Sequence, residues 1–321
     1  MGRYLSRQLA SIIPTILLSV VLNFFLLHAA PGDPARIMAG MDNPNPEQIA
    51  AIRAQLGLDK PLPVQFFNYV KQLAQGNLGQ SLTYKQPVLD IIMSRLPATL
   101  LLTVTSAVIA LVIGTLLGAI AAQRAGKPVD TALAFGNYAL FAMPAFWLGL
   151  IMIVIFASKL GWFPTSGMRN LRADYTGWRE RLDVLQHLVL PAATLALVQI
   201  PVYFRITRSS VMLQQREDYV TTFRATGIPE SRIFRRYALR NALLPTVTVF
   251  GLSLGFVFTG AALVEIVFAW PGIGRLTLDA VFRRDYPLLL GIYLILAIAV
   301  SIAVLITDFV YAFLDPRIRL R

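Results

Sequence analysis

Residues able to make or break covalent bonds are scarce in this 321-residue chain. There is no cysteine, which excludes disulfides, thiolate metal sites and cysteine nucleophiles, and the two histidines, His28 and His187, are far apart in sequence. No G-x-x-x-x-G-K-[ST] phosphate loop occurs: Gly126 and Lys127 are followed by Pro128, and position 121 is not glycine. The chain carries no nucleotide-hydrolysing loop of its own. No H-E-x-x-H occurs, and no two carboxylates are spaced i,i+3 or i,i+4 within an apolar run. The acids inside apolar runs are Glu265 and Asp308. A charge held in a membrane costs at least ~2.5 kcal/mol, so each needs a role. Asp308 reads as a structural partner for a basic residue. Glu265 is open to two readings, a structural one and one in which it meets a cationic group of a substrate.

A different chemistry, protein recognition, is offered by residues 218–245, a basic island between two apolar runs. The sequence predicts a short helix from about Gln214 to Thr226, a left-handed Gly227 as its stop, and a second helix opened by Pro229 with Glu230 in its first turn. Two helices then meet at a Gly227-Ile228-Pro229 corner. Phe223, Ile228, Ile233 and Phe234 stand there among arginines, the make-up of an interface with aromatic anchors and a guanidinium rim. The plainer alternative is a basic connection lying along lipid headgroups.

The elements that must position this corner are membrane helices. The chain is 56% hydrophobic and 14% charged, against roughly 25% charged for a soluble domain. Six apolar runs are each near the ~20 residues that cross a bilayer: about 9–30, 100–122, 133–157, 188–206, 243–268 and 288–313. The first exceeds a signal-peptide core in length and is read as an uncleaved helix. The third contains Pro144, which predicts a kink. Gly114 with Gly118, and Gly251 with Gly255, are small-residue pairs that let helix backbones approach, within the chain or across subunits.

Residues 31–97 are more polar and punctuated by proline and glycine. They predict a small external helical subdomain. Asn45, Pro46 and Gln48 open one helix whose face is Ile49, Ile52 and Leu56. A second follows Pro63 with Phe66, Phe67, Val70 and Leu73 inward and Gly76 as its stop. Net charge is +12, and basic residues crowd the N-terminal flank (Arg3, Arg7), the short connection at Arg124 and Lys127, the island, and the C-terminal flank (Arg317, Arg319, Arg321). By the positive-inside rule both termini and the island are cytoplasmic. The expected division is thus 1–30 (tip and first transmembrane helix), 31–97 (external subdomain), 98–314 (transmembrane core with its loop at 214–245) and 315–321 (cytoplasmic tail).

The island resembles the cytoplasmic "EAA" loop of ATP-binding-cassette (ABC) importer permeases of the dipeptide/oligopeptide family. The matching pieces are Ala225-Thr226-Gly227 and Arg240-Asn241-Ala242-Leu243-Leu244-Pro245. Others are spread along the chain: Pro31-Gly32-Asp33-Pro34; Leu56-Gly57-Leu58-Asp59 with Pro61 and Leu62; Gly76, Leu78, Gly79 and Ser81; Pro271-Gly272-Ile273-Gly274; and Asp315-Pro316. The early pieces are similar to the permease that carries a large external loop after its first helix. Thr221, Thr222 and Phe223 stand where other subfamilies have Glu-Ala-Ala, so no ion pair of that glutamate carries over.

The resemblance implies an all-α integral membrane protein with the type I importer fold, resident in the bacterial cytoplasmic (inner) membrane. It implies a second homologous permease, two ATPase subunits holding ATP and magnesium, and an extracytoplasmic binding protein. Phe223, Ala225, Gly227, Ile228, Pro229, Glu230 and Phe234 would receive the ATPase. No cofactor is expected on this chain, and nucleic acid is not an expected partner. Members carry di-, tri- and oligopeptides, and others glutathione, nickel complexes or oligosaccharides. The scarcity of cysteine, histidine and acids favours peptides over a bare metal. A stand-alone secondary transporter is the more distant alternative, and a membrane enzyme has no residues behind it.

Overall fold

The computed structural model describes residues 2–29, 45–55 and 59–314. The Pro31–Pro34 piece, Leu56 to Leu58, Asp315-Pro316 and the C-terminal arginines lie outside the described residues, as do the side chains of Gln48, Ile52 and Asp308. Among the described residues the chain is helical, with one isolated bridge between Gln80 and Pro87. It divides into two units, Gly2–Arg95 with Leu276–Ala299, and Leu96–Arg275 with the segment from Val300 onward.

The first unit opens with helix α1, Gly2–Ala29. Short helices α2 (Pro46–Gln55) and α3 (Leu62–Ala74) follow. Asn45 caps α2 as expected, its Oδ1 accepting the Glu47 N–H at 3.1 Å. Gly76 stands just past the end of α3 with φ +76°, the left-handed conformation its place demands. The predicted inward face of α3 needs one correction: Phe67 is 68% exposed. Phe66 instead meets buried Phe24 of α1 edge-on, 5.2 Å between ring centres. Phe66 and Phe67 are adjacent on a helix and cannot share a face.

The same unit contains the start of α4 (Val88–Gln123) and the first half of α13 (Tyr286–Leu314). Asp285, fully buried, caps α13 by accepting the Leu288 N–H at 3.3 Å, and also accepts from the Ser81 hydroxyl and the Thr83 N–H. A buried carboxylate is tolerable when its lone pairs are filled this way. It ties the loop after α3 to the head of a long apolar helix.

The second unit holds the rest of α4, then α5 (Pro128–Ala142), α6 (Ala145–Met152, continued by a wide π turn, Ile153–Lys159) and α7 (Trp178–Gln214). Next come α8 (Asp218–Ala225), α9 (Glu230–Arg232, continued by a π turn, Ile233–Ala238), α10 (Leu239–Gly260) and α11 (Ala262–Val267). A further helix, α12 (Ile273–Phe282), begins here.

All six predicted apolar runs are helical, but they differ as spans. Among the described residues α4, α7 and Tyr286–Leu305 of α13 are long and apolar enough to cross a membrane, while α1 offers the shorter apolar stretch Ile13–Leu26. The third run is broken, with α5 and α6–π meeting at 104°. The expected kink at Pro144 is a full stop. A residue before proline avoids the helical region, and Met143 (ψ 129°) and Pro144 (ψ 134°) are both extended, so the chain leaves one helix and starts another. Helix α4 also starts earlier than the apolar run, at Val88, so Pro97 lies inside it.

Candidate functional site

Helix α8 is short because the chain cannot continue past Gly227. Gly227 has φ +75°, and the N–H of Ile228 donates to Phe223 O at 3.1 Å while that of Gly227 donates to Arg224 O at 3.0 Å. These are the two bonds of a Schellman stop, in which a left-handed residue lets the last carbonyls find partners. Pro229, extended at ψ 137°, then starts α9. Across the corner Arg224 Nε donates to Glu230 Oε1 at 2.6 Å. The corner is therefore held by backbone geometry and one ion pair whose members are both about half exposed.

The residues proposed for docking divide into two sets. Ala225, Gly227, Pro229 and Glu230 are exposed at the tip, and Ile228 is half-buried. Phe223 is half-buried between Tyr219 (5.8 Å) and Tyr237 (4.4 Å), so its ring braces α8 against the turn after α9. The expectation of exposed apolar groups fails for Ile233, which is 2% exposed, and in part for Phe234, which packs on the cluster of Ala122, Val211 and Ala242. Past the corner the chain turns back onto α4, α7 and α10, where Ala122, Val211 and Ala242 take the Phe234 ring out of water. The tip presents backbone and polar groups rather than an aromatic knob.

Behind the corner, α7 is gripped by its neighbours. Gly114 and Gly118 of α4 lie against it so closely that an added Cβ would stand 2.8 Å from Ile200 O and 2.6 Å from Phe204 O. The partner of this glycine pair is thus within the chain. Thr207 of α7 and Thr246 of α10, both buried, share a hydrogen bond at 3.0 Å. Arg208 reaches Asp130 of α5 with two bonds, Nε to Oδ1 at 2.7 Å and Nη2 to Oδ2 at 2.8 Å.

Glu265 lies in α11, apart from the corner, and is fully buried. Its carboxylate accepts from Thr99 Oγ1 at 2.7 Å and from the Arg275 N–H at 3.1 Å, while Thr99 Oγ1 accepts the Ile273 N–H at 2.8 Å. The carboxyl group sits at the N-terminus of α12, where free N–H groups supply donors to its oxygens. Gly272 and Gly274 leave it room, since a Cβ on Gly272 would fall on the carboxylate itself. Trp270, fully buried, closes the turn by donating to Ala98 O at 2.8 Å.

Several of these groups were not signalled by the sequence. Thr99, Trp270, Asp130 and Arg208 find partners far along the chain, which spacing cannot show. One motif was overlooked: Gly251-Leu252-Ser253-Leu254-Gly255 has the G-x-S-x-G spacing of a nucleophile elbow. It lies within α10 rather than on a strand-to-helix turn, and Ser253 Oγ donates to Val249 O at 2.7 Å. Among the described residues no cluster of histidine and acids could hold a metal.

Comparison with known proteins gives consistent results. The family model described as "Binding-protein-dependent transport system inner membrane component" matches residues 114–320, and its N-terminal companion matches residues 1–103. The chain is 40% identical to the di/tripeptide transport system permease protein DppB of Pseudomonas aeruginosa, over 98% of each chain. It is 39% identical to the oligopeptide transport system permease protein AppB of Bacillus subtilis, over 99% of each. The glutathione transport system permease protein GsiC of Salmonella typhimurium is also 39% identical, over 99% of each. Among solved structures, the inward-facing MetNI methionine ABC transporter (CY5 native crystal form) superposes with a TM-score of 0.55 at 17% identity. The match covers 71% of this chain and 97% of that one, and establishes a shared fold.

Proposed function

The chain belongs to the family of inner membrane components of binding-protein-dependent transport systems, and from that premise we propose that it forms, with a second permease, the path by which di-, tri- or oligopeptides are imported. It is a transport subunit; hydrolysis of ATP with magnesium falls to separate ATPase subunits, and an extracytoplasmic binding protein delivers the cargo. Both termini and the corner at Gly227 face the cytoplasm in this reading, and residues 31–97 face outward to meet the binding protein. The peptide cargo is supported by two relatives named for peptides. Glutathione is itself a tripeptide, and its carrier is the main alternative.

The observation that carries the mechanism is the exposed, capped corner between α8 and α9, set between long apolar helices. Ala225, Gly227, Pro229 and Glu230 would enter a groove of one ATPase subunit, while Phe223, Ile228 and Phe234 would hold that tip on the turn behind it. Nucleotide binds the two states of the ATPases unequally, and that difference shifts the permease between its own states. A stiff corner transmits the shift. A direct part for Glu265 in the substrate path requires the turn around Gly272 to open; as it stands the carboxylate holds that turn.

The test is to purify the assembly through a tag on this chain, reconstitute it in proteoliposomes with the binding protein, and follow uptake of tri-alanine. Uptake that needs ATP and the ATPase subunits is expected. Uptake by this chain alone, driven by an ion gradient, would make it a secondary transporter. Calorimetry of the binding protein with tri-alanine and with glutathione separates the two cargoes.

A further inference from the structure

The corner has to move something, and the contacts of α7 show what. Between Gln199 and Gln214 this helix is tied to three others by three kinds of contact: glycine-mediated backbone packing against α4, the Thr207–Thr246 bond to α10, and the Arg208–Asp130 pair to α5. The first two are short-range and nonpolar or neutral. The third is a bidentate ion pair, the strongest and most orientation-specific of the polar contacts a side chain can make. Asp130 is 4% exposed. Its Oδ2 also accepts the Gly126 N–H at 3.1 Å, so the same carboxylate fixes the α4–α5 connection at its left-handed glycine.

Arg208 lies six residues before the end of α7, which leads directly into α8 and the corner. Asp130 lies in the first turn of α5, whose other end makes the 104° break into α6. We propose that Asp130 and Arg208 are positioning residues for transport: they latch the broken helix pair α5–α6 to α7, so that displacement of the corner is passed to the break at Pro144. This rests on the corner being the ATPase contact. Without the pair, α7 would still move with α8, but α5 would follow only through apolar contacts that allow sliding.

The test uses the complete ATP-driven assembly in nanodiscs, with partner subunits made cysteine-free. This chain has no cysteine, so Thr131→Cys and Ser209→Cys supply its only thiols for a spin-label pair reporting the α5–α7 distance. Both sites are exposed in the chain. Four variants are compared with the parent: Asp130→Asn, Arg208→Gln, the Asp130→Asn/Arg208→Gln double, and Gly227→Pro.

The latch predicts one narrow distance distribution in the parent, unmoved by ATP. In Asp130→Asn and Arg208→Gln the distribution becomes ATP-dependent, and ATP consumed per tri-alanine imported rises above the parent's ratio. The double variant is no worse than either single, because both remove one interaction. A parent distance that shifts with ATP, a single variant that keeps the parent's distribution and coupling ratio, or a double that loses the sum of the two overturns the latch. Gly227→Pro tests the underlying premise separately: if it leaves ATP consumption per tri-alanine unchanged, the corner assignment fails whatever the latch variants do.

Discussion

Gly118→Ala is a small change with a calculable outcome. The new Cβ would lie 2.6 Å from the carbonyl oxygen of Phe204, 3.0 Å from Thr207 Cβ and 3.1 Å from the Arg208 amide nitrogen. All three are backbone or β-position atoms of α7, so no rotamer change removes them. Nonbonded carbon contacts prefer about 3.5–4.0 Å, so α4 and α7 must separate by roughly 1 Å there. Overpacking of this kind costs about 1–3 kcal/mol. Alanine's intrinsic helix preference returns up to ~1 kcal/mol. That return can be cancelled by a control: Gly136→Ala in α5 has the same propensity gain and nothing within 4 Å of its Cβ. The two variants should therefore differ by about 1–3 kcal/mol, a spread of roughly 2–6 °C in melting temperature. Thermal unfolding of the two purified chains in the same detergent measures this. Equal melting temperatures, or a Gly118→Ala chain that outlasts Gly136→Ala, would refute the close approach of α4 and α7.

Other substitutions probe the turns and the corner. Glu265→Ala should destabilise the fold by about 1–3 kcal/mol, because it leaves the buried Thr99 hydroxyl and the part-buried Arg275 N–H without their acceptor. Glu265→Gln, which keeps an acceptor, should lose less in the same melting experiment; equal losses would show that charge rather than hydrogen bonding matters there. Asp285→Ala should cost a similar ~1–3 kcal/mol through the Leu288, Thr83 and Ser81 contacts, and limited proteolysis should then cut the loop at residues 79–86 first. Glu230→Gln should change melting by no more than ~1 kcal/mol, since the Arg224 pair is solvent-exposed. A larger loss would mean the pair is structural.

The sequence announced some of this and was silent on the rest, for physical reasons. Helices were legible because apolar runs of membrane length have few alternatives to hydrogen-bonding their own backbone. The stop at Gly227 and restart at Pro229 were legible because each residue has a local conformational bias. Pro144 signalled a disturbance and biased Met143 toward an extended conformation, yet a proline in a membrane helix more often gives a kink than a full stop, so the 104° break was not legible. Phe234 was misplaced because part of the cluster that covers it, Ala122 and Val211, comes from distant parts of the chain. The Glu265 turn and the Asp130–Arg208 pair were invisible because their partners lie 166 and 78 residues away. Long-range pairing of that kind leaves no trace in spacing.

The central claim is that force from a nucleotide-driven partner enters this chain at the Gly227 corner. Proline at 227 cannot adopt φ +75° and removes the N–H that bonds Arg224 O, whereas alanine keeps that N–H, meets nothing within 4 Å and bears only the strain of a left-handed residue, about 1–2 kcal/mol. The decisive measurement is ATP hydrolysed per tri-alanine imported by the reconstituted assembly carrying each variant. The account predicts that Gly227→Ala stays near the parent ratio, while Gly227→Pro inserts and assembles but hydrolyses ATP with import lost. An assembled Gly227→Pro complex that imports tri-alanine at the parent's ratio would contradict it.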